Sequence, residues 1–116
     1  MLTPLDLRLL PNLDIGAHSD RFLKPGVLAG AFYAVPKNAG TTGIAYNAAQ
    51  LDPVDSWREF FDRAMTEASG KTIVHDYQLT AIGGALVALG HGFNSLDPAE
   101  LARAEDLLMQ VRPHLL

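Results

Sequence analysis

The predicted fold class depends on one stretch in the second half of the chain, Lys71-Thr72-Ile73-Val74-His75-Asp76. Its middle is β-branched and apolar, and a run of this kind after Gly70 predicts a short buried strand. Asp76 suits the N-cap of a following helix, because its carboxylate can accept hydrogen bonds from free backbone N–H groups. A strand that leads directly into a helix is typical of α/β domains, so the sequence predicts an α/β fold.

A helix is predicted before this strand. Ser56-Trp57-Arg58-Glu59 has the capping-box pattern, in which the Ser hydroxyl and the Glu carboxylate satisfy free backbone donors. Gly70 is predicted to close this helix. Apolar residues recur on one face of it, and this spacing favours a buried core face over a ligand site: Trp57, Phe60, Phe61, Ala64 and Met65.

Two more helices are predicted after the strand. The segment 77–89 carries Gly83-Gly84 at its centre, and each glycine there costs about 1 kcal/mol relative to alanine, which predicts close packing. The last helix begins with Asp97 as N-cap and Pro98 at its first position, and Pro113 ends it. The apolar stripe of the first of these two helices is expected to consist of Leu79, Ile82, Leu86 and Leu89.

Earlier in the chain, β-forming residues dominate residues 31–47. The composition predicts one strand over 32–35, a turn over 36–40 and a second strand over 41–47. The predicted architecture is therefore a small sheet flanked by three main helices.

Length and composition limit the classes of function. The chain has 116 residues, of which 48% are hydrophobic and 19% charged, which predicts a single globular domain over 1–116. A net charge of −4 without a Lys/Arg cluster argues against nucleic acid and anionic membrane surfaces as partners. The sequence has neither an apolar run long enough for membrane insertion nor the pattern of a signal peptide. Because cysteine is absent, disulfides and thiolate chemistry are excluded, and either cytoplasm or periplasm is compatible.

The predicted site is the junction His75-Asp76-Tyr77, where a strand would end and a helix begin. In α/β sheets ligands bind at such junctions. Asp76 can equally be a helix cap and nothing more. Thr41 and Thr42 can offer hydroxyl groups to a ligand, although β-branched residues in a strand need no functional explanation.

Other chemistries find little support in the sequence. His18, His75, His91 and His114 lack the spacing that zinc sites favour, so we predict no metal and no cofactor. No G-x-S-x-G elbow accompanies His75 and Asp76, which argues against a hydrolytic triad. The glycine pairs match neither the P-loop nor the dinucleotide-binding fingerprint.

Four segments together resemble one known family. They are Gly40-Thr41-Thr42-Gly43-Ile44-Ala45-Tyr46-Asn47, Ser56-Trp57, Ala85 to Gly90, and Asn94 to Leu101. In order and spacing they resemble the spermidine/putrescine-binding proteins of ABC importers. The resemblance covers nearly the whole chain but only the central part of a family protein. It implies one truncated lobe of a type II periplasmic-binding-protein fold, a ligand cleft between two lobes, docking on permease subunits and a periplasmic location.

The resemblance also implies which residues contact the ligand: Lys37, Thr41, Thr42, Asp76, Tyr77 and Thr80. Lys37 and Ala39 stand where the family commonly carries aromatic residues, and Tyr77 and Thr80 stand where further carboxylates are expected. A dication needs two anionic anchors, and Asp76 supplies one.

The predicted function is therefore binding of a polyamine or another small amine-like solute, without catalysis. Two alternatives stay open: a structural or interaction module without a ligand cleft, and a small α/β enzyme that uses His75 and Asp76. A truncated lobe is also expected to expose apolar surface and to self-associate.

Overall fold

The computed structural model describes residues 2–38 and 40–116. These residues form two compact units, Met1–Thr41 and Thr42–Leu116. Ala39, where the resemblance implied an aromatic residue, lies outside the described residues. The single domain over 1–116 stays a prediction.

The first unit consists of short elements. A 3-10 helix spans Leu7–Leu9, helix α1 spans Asp20–Leu23, and a small antiparallel sheet pairs β1, Val27–Leu28, with β2, Ala31–Phe32. The hairpin turn is Ala29-Gly30, whose φ angles of 49° and 79° are both positive, as a type I′ turn requires. The strand predicted over 32–35 is confirmed at Phe32 alone.

The second unit contains the three long helices. Helix α2 spans Trp57–Ala64, α3 spans Gln78–Ala88 and α4 spans Pro98–Val111, and α3 packs against both α2 and α4. The buried core lies between them and includes Phe61, Ala64, Ala85, Leu86, Ala104 and Val111. Among the described residues, no helix combines the length and the apolar character needed to cross a bilayer.

The capping box at the start of α2 is present. Ser56 Oγ accepts from the N–H of Glu59 at 3.1 Å, and Glu59 Oε2 accepts at 3.1 Å from the N–H of Asp55, one residue before the cap. Arg63 donates to Glu59 Oε1 at 2.7 Å, and this hydrogen bond lowers the pKa of the Glu59 carboxyl below its usual value. The helix ends at Ala64 and turns follow, so the prediction that Gly70 closes the helix is wrong.

Helix α3 buries a different face from the predicted one. Leu86 is 1% exposed, but Leu79 is 60% exposed and Ile82 is also exposed. The buried side includes Gly83 and Gly84, and a Cβ atom on Gly84 would lie 3.2 Å from the Trp57 ring. The predicted close packing at the glycine pair is confirmed, because neighbouring aromatic rings occupy the space of the missing side chains.

Two further predicted strands, over 41–47 and 71–74, are wrong. The described part of 41–47 contains no strand, because β-forming residues need a neighbouring strand to pair with. The segment 71–74 forms only an isolated parallel bridge between Thr72 and Leu115, and Ile73 is 70% exposed rather than buried. The described residues thus combine helices with a small two-stranded sheet, and this much of the α/β prediction is confirmed. The lobe of a type II periplasmic-binding-protein fold stays a prediction.

The two predicted aspartate caps differ in the structure. Asp97 Oδ1 accepts from the N–H groups of Ala99 at 2.8 Å and Glu100 at 3.1 Å. Asp76 caps nothing: α3 begins at Gln78, its N-cap is Tyr77, and the Tyr77 side chain makes no capping hydrogen bond.

This difference gives a prediction for stability. Asp97→Ala should lower the free energy of unfolding by about 1 kcal/mol, because two backbone N–H groups lose their acceptor. Asp76→Ala is the matched control and should change it by less than about 0.5 kcal/mol. The free energy of unfolding of each variant can be measured by urea unfolding, followed by the fluorescence of Trp57, the single tryptophan. Equal losses in the two variants would contradict this assignment of the caps.

Candidate functional site

The second unit contains a cleft of about 310 Å³, here called the Trp57 cleft. Helix α2 forms one wall, the first turn of α3 forms another, and two irregular segments complete it. Its lining residues fall into these four groups: Trp57, Phe60 and Phe61; Thr80 and Ala81; Thr42 to Ala45; and Ile73 to His75.

Three aromatic rings of α2 form the wall of the Trp57 cleft. The capped helix start places Trp57, Phe60 and Phe61 close together, with ring centroids 5.8 Å apart for Trp57 and Phe60 and 5.2 Å apart for Phe60 and Phe61. Phe61 is fully buried, whereas Trp57 and Phe60 are half-buried. The sequence predicted core residues here, and the structure leaves Trp57 and Phe60 only half-buried, so part of each ring lines the cleft.

Two of the predicted site residues meet at this cleft. Thr42 reaches it from the irregular segment before α2, and Thr80 reaches it from the first turn of α3. His75, part of the predicted junction, also lines it. The cleft therefore combines aromatic faces, two hydroxyl groups and one imidazole ring.

Asp76 and Tyr77 directly follow the lining residue His75 in the sequence, but neither of them lines the cleft. The carboxylate of Asp76 is fully exposed, and Tyr77 is 55% exposed. The backbone N–H of Tyr77 donates to Nδ1 of His75 at 3.0 Å, while Asp76 Oδ1 lies 3.7 Å from the same nitrogen. The Nδ1 of His75 is therefore closer to the backbone N–H of Tyr77 than to the Asp76 carboxylate, which lies beyond hydrogen-bonding distance.

Lys37 and Thr41 belong to the first unit. Lys37 is exposed and lines a shallow cleft of about 130 Å³ together with His18, Phe22 and Pro36. Among the described residues, no three His, Asp or Glu side chains are grouped so that they could hold a metal ion. A ligand role for the six predicted residues stays a prediction.

A cleft with an apolar floor and a few convergent polar groups is typical of small-molecule binding sites. Comparison with known proteins finds two curated relatives that are named as binding proteins for small amines. The chain is 33% identical over 119 aligned residues to the putrescine/cadaverine-binding protein of Pseudomonas aeruginosa, across 97% of this chain and 33% of that protein. It is 35% identical over 94 residues to the putrescine/agmatine-binding protein of the same organism, across 72% of this chain and 25% of that protein.

The predicted resemblance to putrescine-type binding proteins is thereby confirmed, and the chain is a sequence relative of this family. It spans between a quarter and a third of the length of these two relatives, which are both named as binding proteins rather than enzymes. No family model matches the chain. No solved structure matches it either.

Proposed function

We propose that the chain is the ligand-binding part of a solute-binding protein for a small amine-like solute, and that the Trp57 cleft is its contact surface. The alignment of nearly the whole chain with a putrescine/cadaverine-binding protein supports this proposal most strongly. The cleft is compatible with it, because half-buried aromatic rings and two hydroxyl groups suit an alkylammonium group.

The composition of the cleft bears on its affinity. An ammonium group over an aromatic face contributes about 0.5–2 kcal/mol. None of the described residues that line the Trp57 cleft carries a carboxylate, and Asp76 lies outside the lining. We therefore expect the chain alone to bind a diamine weakly, with a dissociation constant of about 1 mM or above.

In the whole protein we expect a periplasmic location, closure of the cleft over the solute and docking on ABC permease subunits, without catalysis. Self-association of this chain is also proposed. It is supported by large apolar side chains exposed on the second unit, such as Leu79, Leu96 and Met109.

Titration with putrescine tests the proposed site. We expect the fluorescence of Trp57 and the amide resonances of Thr42, His75 and Thr80 to change together, with half-saturation at roughly 1 mM or above. Butane-1,4-diol is the control, because it has the same length without charge and should change neither signal.

Two outcomes would contradict the proposal in different ways. Unchanged cleft resonances at saturating putrescine would exclude this site and favour a structural or interaction module. A dissociation constant of about 1 μM would contradict the argument that the lack of a carboxylate in the cleft lining limits affinity.

A further inference from the structure

Helices α3 and α4 form an apolar groove of about 660 Å³, here called the α4 groove. Six apolar residues and one carboxylate line it, and they include Leu101, Ala102, Glu105, Leu108 and Met109. Met109 is 55% exposed, and exposed apolar surface of this kind marks a site of interaction. No described residue lines both this groove and the Trp57 cleft, so the α4 groove is a separate surface.

Two opposite charges lie along the same stripe of α4. Glu105 and Arg112 are seven residues apart, about two helical turns, and therefore lie on the same side of the helix. The helical path continues to Arg112, because its backbone N–H still bonds to the carbonyl of Leu108. Both side chains are exposed, and neither forms an ion pair within the described part of the chain. Both charges can therefore pair with a partner.

This order of charges is complementary to itself when a second copy is turned end to end. In an antiparallel pair of α4 helices whose two-fold axis passes between Leu108 and Met109, each residue faces the one equally far beyond the axis. Glu105 of each copy then faces Arg112 of the other, so two ion pairs form. A parallel pair would instead set Glu105 against Glu105 and Arg112 against Arg112, and like charges repel.

We propose that the α4 groove is the interface of a homodimer in which two antiparallel α4 helices form reciprocal Glu105–Arg112 ion pairs. Leu108 and Met109 of the two copies meet at the axis and bury apolar surface there. The occupant is a second copy of this chain, because the charges on one copy complement themselves. This inference rests on the self-association proposed above and names its surface, its symmetry and its charged contacts.

Charge reversal at the two positions tests the pairing. Glu105→Arg sets Arg against Arg at both contacts, and Arg112→Glu sets Glu against Glu. Each variant alone should therefore dimerise roughly tenfold more weakly than the wild type. Mixed in equal amounts, the two variants should form a heterodimer of nearly wild-type affinity, because both contacts again join opposite charges. Sedimentation velocity at low ionic strength over a range of concentrations measures each dimerisation constant.

Two further variants serve as controls. Arg103→Glu changes the net charge as much as Arg112→Glu does, but Arg103 lies on the opposite side of α4 from Glu105 and lines a different cleft. It should leave dimerisation unchanged. Met109→Lys places a charge at the axis and should abolish the dimer, while far-UV circular dichroism shows that the exposed substitution leaves the helices folded.

The outcomes separate this inference from the proposals on which it rests. If the mixed variants fail to recover the dimer, or if Arg103→Glu weakens it as much as Arg112→Glu does, the antiparallel pairing is overturned even though the chain self-associates. A wild-type chain that stays monomeric at every concentration would overturn the self-association as well. Putrescine titration of the Trp57 cleft tests the amine site independently of these results.

Discussion

Leu86→Ala is expected to lower the free energy of unfolding by about 2–5 kcal/mol, the usual range for truncating a buried leucine. Leu86 is 1% exposed and belongs to the buried core cluster, so its truncation should leave an internal cavity. Leu79→Ala in the same helix should change it by no more than about 0.5 kcal/mol, because Leu79 is 60% exposed. Both changes have the same chemistry and the same helix propensity, so the difference measures burial alone.

Urea unfolding followed by far-UV circular dichroism and by Trp57 fluorescence checks this pair. The m-value should stay the same in both variants, since neither changes the surface exposed on unfolding by much. Similar losses in the two variants would mean that α3 packs with the face predicted from the leucine spacing rather than with the glycine face.

The orientation of α3 could not be predicted from its sequence. Leu79, Ile82 and Leu86 lie on one face of α3, but the opposite face is apolar too, since it carries Ala81, Ala85 and Ala88, so apolar spacing gives no unique face. What decides the face is the closeness of two aromatic rings, Trp57 beside Gly84 and Phe93 beside Gly83. The glycine pair did predict close packing, but the identity of the neighbours depends on contacts distant in sequence.

Local signals predicted the helix starts well where the bonding groups are three residues apart or less. The Ser56 side chain accepts from the N–H of Glu59, as predicted. The Asp97 side chain likewise accepts from the N–H groups of Ala99 and Glu100. Strands were predicted poorly, because pairing depends on a distant segment: Thr72 forms its bridge with Leu115. Asp76 was the exception among the caps, since α3 begins two residues after it.

The candidate site was also predictable only in part. Thr42 and Thr80 were chosen from the resemblance, and the structure brings both to the Trp57 cleft. The aromatic wall was interpreted as core alone, because the spacing of Trp57 and Phe60 on a helix cannot distinguish full burial from half-burial.

Phe61→Ala should have the largest effect on this chain. Phe61 is 1% exposed, and its ring centroid lies 5.2 Å from that of Phe60 and 6.5 Å from that of Trp57. Its removal should cost about 3–5 kcal/mol, a large share of the roughly 4–11 kcal/mol expected for a unit of this size. We expect partial unfolding in buffer at 25 °C, seen as lost helical circular dichroism and a shifted Trp57 emission.

Phe61→Leu separates the role in folding from the role in binding. Leucine keeps most of the volume and should cost less than about 1.5 kcal/mol, so this variant should stay folded. It lacks the aromatic ring, but Trp57 and Phe60, which are the half-buried rings, still offer their faces to a ligand. Ligand binding should therefore survive in Phe61→Leu, and its loss in a folded variant would mean that Phe61 itself contacts the solute.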